Sequence, residues 1–84
     1  IQPLSILREI DRTGSLTQAA DRLNLTQSAV SHAIRRFEER HGVKLWEREG
    51  HKLRLTLAGE YLLGLAMRVL PQLERGAAVL EDYA

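Results

Sequence analysis

The stretch Ser15–Phe37, SLTQAADRLNLTQSAVSHAIRRF, reads as two short helices separated by a tight turn. Ser15 is placed to cap the first helix, and Gln18 three residues on is placed to reach back to it, a reciprocal arrangement that satisfies two orphan amide donors. Leu16, Ala19, Ala20 and Leu23 then form one apolar stripe at helical spacing. Asn24 sits where that helix must stop, and asparagine is the residue besides glycine that tolerates a left-handed backbone. Leu25 follows as an apolar plug, and Thr26 caps a second helix whose inner face is Val30, Ile34 and Phe37. Small Ala19 and Ala20 let the two helices cross closely. The pattern is a helix-turn-helix.

The outer face of the second helix points to a partner. At about 100° per residue, Ser28, Ser31, His32 and Arg35 fall together on the side opposite Val30 and Ile34. Gln27 lies in the first turn, beside free backbone amides and the positive end of the helix dipole. Hydroxyls, an imidazole and a guanidinium suit a helix lying in the major groove of DNA, where base edges present a distinct donor and acceptor code. Glutamine can pair with adenine through two bonds, and arginine with guanine. Glu39 reverses the sign of the face and marks where the helix should leave the phosphates.

Bulk composition permits this reading. Eighty-four residues make one small domain with a modest core, a size that often depends on a partner for stability. The formal net charge is only +1, but Arg35 to Arg54 holds seven of the twelve Lys and Arg residues, together with His41 and His51. Such a local basic patch on a nearly neutral chain suggests directed binding of nucleic acid. There is no cysteine, so a disulfide framework and a thiolate metal site are both excluded, and a reducing compartment fits. The apolar run at Tyr61–Met67 is far short of the ~20 residues of a membrane span. The sequence starts at Ile1 without methionine, so a few residues are expected to precede it.

A first helix is expected at roughly Pro3 to Arg12, with Leu4, Ile6, Leu7 and Ile10 inward, Pro3 in its first turn and Gly14 ending it. After Gly42, VKLWERE and HKLRLT alternate around Glu49-Gly50-His51-Lys52, which predicts a β-hairpin wing. Leu45, Leu53 and Leu55 face the core, Trp46 joins it, and Lys44, Arg48, Lys52 and Arg54 face out, placed to meet the sugar-phosphate backbone or the minor groove. Thr56 caps a last helix running from Leu57 to about Tyr83. Leu63, Ala66, Leu70, Leu73, Ala77 and Leu80 recur there at the a/d spacing of a coiled coil, which predicts a dimerisation seam. Leu62, Leu65, Val69 and Val79 widen it. Pro71 removes one amide donor and predicts a kink, not an end, because the seam keeps phase across it.

Helix, helix-turn-helix, basic wing and long last helix, in that order, resemble the N-terminal DNA-binding domain of LysR-type transcriptional regulators. The resemblance covers essentially the whole chain and is carried by GSLTQAADRLNLTQSAVSHAIRRFEERHGVKLWERE followed by LRLTLAGE. It implies a mainly α fold, a winged helix-turn-helix over residues 1–56 with a linker (dimerisation) helix over residues 57–84. It implies DNA contacts from Thr17, Thr26, Gln27, Ser28, Ser31, His32, Arg35 and Arg36, with His51, Lys52 and Arg54 around the wing. It further implies a homodimer on an inverted-repeat operator, a higher oligomer in a longer parent, no cofactor, no metal, and a bacterial cytoplasmic, nucleoid-associated location. TQSAVSH, with VLPQ at Val69–Gln72, is most similar to the subgroup that regulates methionine biosynthesis. Family members often carry proline where this chain has Ser28 and arginine where it has His32, so its base preference need not follow theirs. They also carry a C-terminal effector-binding domain, so the chain resembles an excised fragment ending within its linker helix.

Two other classes remain as readings. A helical protein–protein interaction module would explain the last helix but leaves the wing and the Ser28–Arg35 face idle. An enzyme is a poor fit, since His32, His41 and His51 match no metal-ligand spacing and Ser31 beside His32 lacks an orienting carboxylate.

Overall fold

The computed structural model describes residues 1–50 and 52–84. Its elements run α1 (Gln2–Thr13), α2 (Leu16–Arg22), α3 (Gln27–His41), β1 (Trp46–Glu49), β2 (Lys52–Leu55) and α4 (Leu57–Glu81). The chain is therefore mainly helical, with one small antiparallel wing and a long last helix.

Local chemistry sets these boundaries. Gly14 adopts a left-handed backbone at φ 71° and donates its amide to the Ile10 carbonyl at 2.7 Å, closing α1. Ser15 caps α2 by accepting the Gln18 amide at 3.2 Å. The expected return bond from the Gln18 side chain is replaced: the Ser15 amide donates instead to the Thr13 hydroxyl at 3.3 Å. Asn24 takes the left-handed conformation at φ 57°, and Leu25 donates to the Ala20 carbonyl, folding the turn back on α2. Thr26 then caps α3 by accepting the Ala29 amide at 3.0 Å.

The core joins Ile6, Leu7 and Ile10 of α1, Ala19 and Ala20 of α2, Val30 and Ile34 of α3, and Leu45 and Leu62. α1 is its axis, touching α2, α3 and α4. Five successive α1 residues, Ile6 through Ile10, are buried, which is possible only because other elements cover it on every side. Two of the five are charged. Arg8, 9% exposed, sends both terminal nitrogens to the Glu74 carboxylate of α4, at 3.1 and 2.7 Å. Glu9, 4% exposed, accepts Arg12 at 2.9 Å and binds Arg22 of α2 on its other oxygen. Burial pushes the Glu9 carboxyl upward, but the bond from Arg22 and the charges of Arg12, Arg22 and Arg8 together hold it below the ordinary glutamate range.

The wing is anchored at its base. Trp46 pairs with Leu55, Glu47 with Arg54, Arg48 with Leu53 and Glu49 with Lys52. Leu45 is buried and Trp46, Leu53 and Leu55 are half-buried, so the expected alternation holds in β2. In β1 it does not, because Arg48 pairs with Leu53 and so shares the face of Leu53, Trp46 and Leu55 rather than that of Lys52 and Arg54. Thr56 donates its amide to the Leu45 carbonyl at 3.0 Å, bonds the Lys44 carbonyl through its hydroxyl, and caps α4 through the Gly59 amide at 3.1 Å.

α4 runs unbroken through Pro71, so the proline does not end it. The expected dimer seam, however, is divided. Leu63 packs against the core of its own chain, and Ala66 and Leu70 are 0% and 3% exposed within it. Ala66 and Leu70 offer no free surface to a partner, because the chain's own fold covers them, while Leu63 is half-buried. The later part is open: Leu73 is 45% exposed, Leu80 69%, and Ala77 lies exposed between them.

Candidate nucleic-acid interface

The Thr26 cap decides what α3 presents at its start. Its hydroxyl takes the Ala29 amide and its carbonyl takes the Val30 amide, leaving those of Gln27 and Ser28 without a bonded partner among the described residues. No acidic side chain stands in the first turn. Free amides at the positive end of a helix attract phosphate oxygens.

Gln27, Ser28, His32 and Arg35 are exposed and Ser31 is half-buried. All five line one open hollow together with Leu16, Ala29 and Arg48 of β1. A second open hollow, sharing Leu16, Gln27 and Arg48, continues past Ser15, Thr17, Lys52 and Leu53. The wing and the start of α3 thus form one continuous concave surface, with Gln27 and Arg48 at its centre. Arg48, expected only as one of the outward cations of the wing, shares this centre with Gln27. The sequence alternation put Arg48 on the face of Lys52 and Arg54, but its pairing with Leu53 turns it to the other face, where it lines the hollow together with the start of α3.

The structure does not bring every expected contact to this surface. Arg36 lines a separate hollow with Gln2, Pro3, Ala33, Phe37 and Arg40, beside the start of α1. It is one residue from Arg35, but one residue is about 100° around a helix. Arg54 is tied to Glu49 at 2.8 Å, an exposed pair that a phosphate can displace at small cost. Lys52 makes no ion pair among the described residues. Thr26 is exposed, with its oxygen engaged in the cap. His51 lies outside the described residues.

The family model of the bacterial regulatory helix-turn-helix proteins of the lysR family matches residues 1–60. The HTH-type transcriptional regulator MetR of Haemophilus influenzae is 48% identical over 69 residues, covering 82% of this chain and 22% of the relative. MetR of Salmonella typhimurium is 45% identical over 75 residues, covering 89% and 24%. The chain therefore spans about a quarter of the length of these relatives. Among solved structures, a CbnR_DBD–DNA complex superimposes with a TM-score of 0.79 at 27% identity, covering 96% of this chain and 93% of that one.

Proposed function

The chain belongs to the lysR family of bacterial regulatory helix-turn-helix proteins and is a DNA-binding domain of that family, and from this premise we propose how it binds. Residues 1–56 supply a reading head and residues 57–84 a linker helix through which two copies associate. The operator is an inverted repeat, each half-site meeting one copy of α3 in its major groove. Gln27, Ser28, Ser31 and His32 face base edges, with Arg35 beside them. Thr17, Lys52 and Arg48 meet the flanking phosphates, while Arg54 joins them by leaving Glu49. Thr26 holds the start of α3 in place, and Arg36 contributes at the margin if the duplex reaches that flank.

The observation that carries this reading is the continuous hollow centred on Gln27 and Arg48, which joins sequence-reading and backbone-holding groups on one face. The parent protein regulates methionine-biosynthesis genes, a reading supported by the MetR relatives. It works in the bacterial cytoplasm as a higher oligomer.

Selection of bound duplexes from a random pool tests the whole proposal. Inverted repeats whose half-sites lie about one helical turn or a multiple apart are the expected product. Recovery of unrelated sequences would overturn it. The dimer is tested separately at Leu73 and Leu80, which are exposed and so can be changed without opening the core. Leu73→Glu with Leu80→Glu should sediment as a folded monomer at concentrations where the parent is a dimer.

A further inference from the structure

α4 has two halves with different support. Up to Leu70 it is buried against α1, whereas every residue from Gln72 to Ala84 is exposed. Pro71 lies at the junction, where it withholds the amide that the Met67 carbonyl would otherwise accept. This is the weakest joint in the helix, and it separates the reading head from the exposed stripe that carries Leu73 and Leu80. Among the described residues, α4 beyond Pro71 makes side-chain hydrogen bonds to another element at one place, the Glu74–Arg8 pair.

That pair is built to hold an angle. Two parallel bonds between planar groups fix rotation as well as distance. Arg8 has little room to follow a moving Glu74, since its side chain is 10% exposed and its Nε lies 3.8 Å from the Glu9 carboxylate. Its neighbour Glu9 is clamped in turn to Arg22 of α2. A single chain of charged groups thus runs from the far half of the linker helix, through the axis of the core, to the first helix of the helix-turn-helix.

We infer that Arg8 and Glu74 form a strut across the Pro71 joint and, by setting the angle between the partner-binding half of α4 and the reading head, determine the half-site spacing the dimer accepts. This rests on the dimeric reading above. The lever is long enough for a small angle to matter. From Leu57 to Pro71 the helix rises about 21 Å, so a bend of roughly 9° moves the head by about 3.4 Å, one base-pair step. Proline is among the few causes of sharp helix kinks, those above ~20°.

The test uses duplexes carrying two copies of the selected half-site, with the selected spacer or one lengthened or shortened by one and two base pairs, read by fluorescence anisotropy. A duplex with one half-site is the control. Glu74 is the residue to change, since its side chain is 59% exposed and its loss leaves the core intact. The parent should favour its own spacer over the next by at least about fivefold, the lower end of ordinary coupling between sites. Glu74→Ala should lower the melting temperature, because it leaves the buried Arg8 without its partner. At a temperature where circular dichroism shows the variant folded, it should flatten that profile while affinity for the single half-site stays near the parent's. Glu74→Gln, which keeps one acceptor for Arg8, should restore part of the preference. A Glu74→Ala profile as sharp as the parent's overturns the strut. A parent profile that is itself flat overturns the dimeric reading, and the strut with it.

Discussion

The Glu38 carboxylate accepts the backbone N–H of Leu45 at 2.7 Å. Both residues are buried, so a side chain in the last turn of the reading helix pins the residue from which the wing starts. Removing the acceptor strands an amide that water cannot reach, at a cost of about 1–3 kcal/mol. Glu38→Ala should lose that much stability in urea unfolding. Glu38→Gln keeps a carbonyl oxygen in the same place and should lose distinctly less. Equal losses in the two variants would show that the bond itself contributes little.

Two glycines of α4 should respond to alanine with opposite signs. A Cβ on Gly59 would lie 2.0 Å from the Leu45 carbonyl oxygen and 3.0 Å from its carbon, and backbone cannot give way as a flexible side chain does. A Cβ on Gly76 would meet nothing within 4 Å. Alanine in an unobstructed helix is worth roughly 0.5–1 kcal/mol over glycine, so Gly76→Ala should raise the urea midpoint. At Gly59 that gain is outweighed by overpacking, typically 1–3 kcal/mol and here at the upper end or beyond. A stable Gly59→Ala would mean that α4 can lift away from the base of the wing.

Glu9 makes stability depend on pH in a defined direction. Burial disfavours its charged form, yet Arg22, Arg12 and Arg8 hold its carboxyl below the ordinary glutamate range. Arg8 likewise lowers that of Glu74. A group depressed in the folded state binds its proton more readily when unfolded, so stability rises with pH across the gap between the two values. The contribution is complete above the ordinary carboxylate range of about 4.3 and is lost as pH falls through the lower folded value. Urea midpoints should therefore drop between pH 6 and pH 3, and Glu9→Gln should both lower the neutral value and make the profile shallower. A Glu9→Gln profile parallel to the parent's would place the acid sensitivity elsewhere.

The helix-turn-helix was legible because its signals are local. Ser15, Asn24 and Thr26 each act within four residues of their own position, and the apolar stripes need only a helical period. The alternation around the wing has the same short range. What escaped the sequence is long-range or ambiguous in kind. Arg8 and Glu74 are 66 residues apart, and no spacing rule joins them. The α4 stripe was read as one seam because apolar periodicity is the same whether the covering surface is the chain's own α1 or a second copy. Only burial separates Ala66 and Leu70 from Leu73 and Leu80. Gln18 lost its place in the cap because the Thr13 hydroxyl takes the Ser15 amide, and Gly59 carries no sequence mark of the carbonyl it must clear.

Base reading and backbone holding should separate on the concave surface. Gln27, Ser28, Ser31 and His32 lie toward the start of α3 on one wall, with Arg48 and Lys52 projecting from the wing. A well-placed two-bond contact to a base is worth about 1–3 kcal/mol of discrimination, whereas a phosphate contact carries no sequence information and enters through counterion release. Gln27→Ala or His32→Ala should therefore narrow the gap between selected and random duplexes, with fold and dimer unchanged by circular dichroism and sedimentation. Arg48→Ala with Lys52→Ala should weaken binding to all sequences alike and reduce the slope of log affinity against log salt by about 0.9 per lost contact. Arg36→Ala, on the other flank of α3, should change the salt slope less than Arg48→Ala does. If selected and random duplexes remain as well separated after Gln27→Ala and His32→Ala as before, the start of α3 does not read bases. If the salt slope survives the loss of Arg48 and Lys52, the wing does not reach the backbone, and the shared hollow at Gln27 is a feature of packing alone.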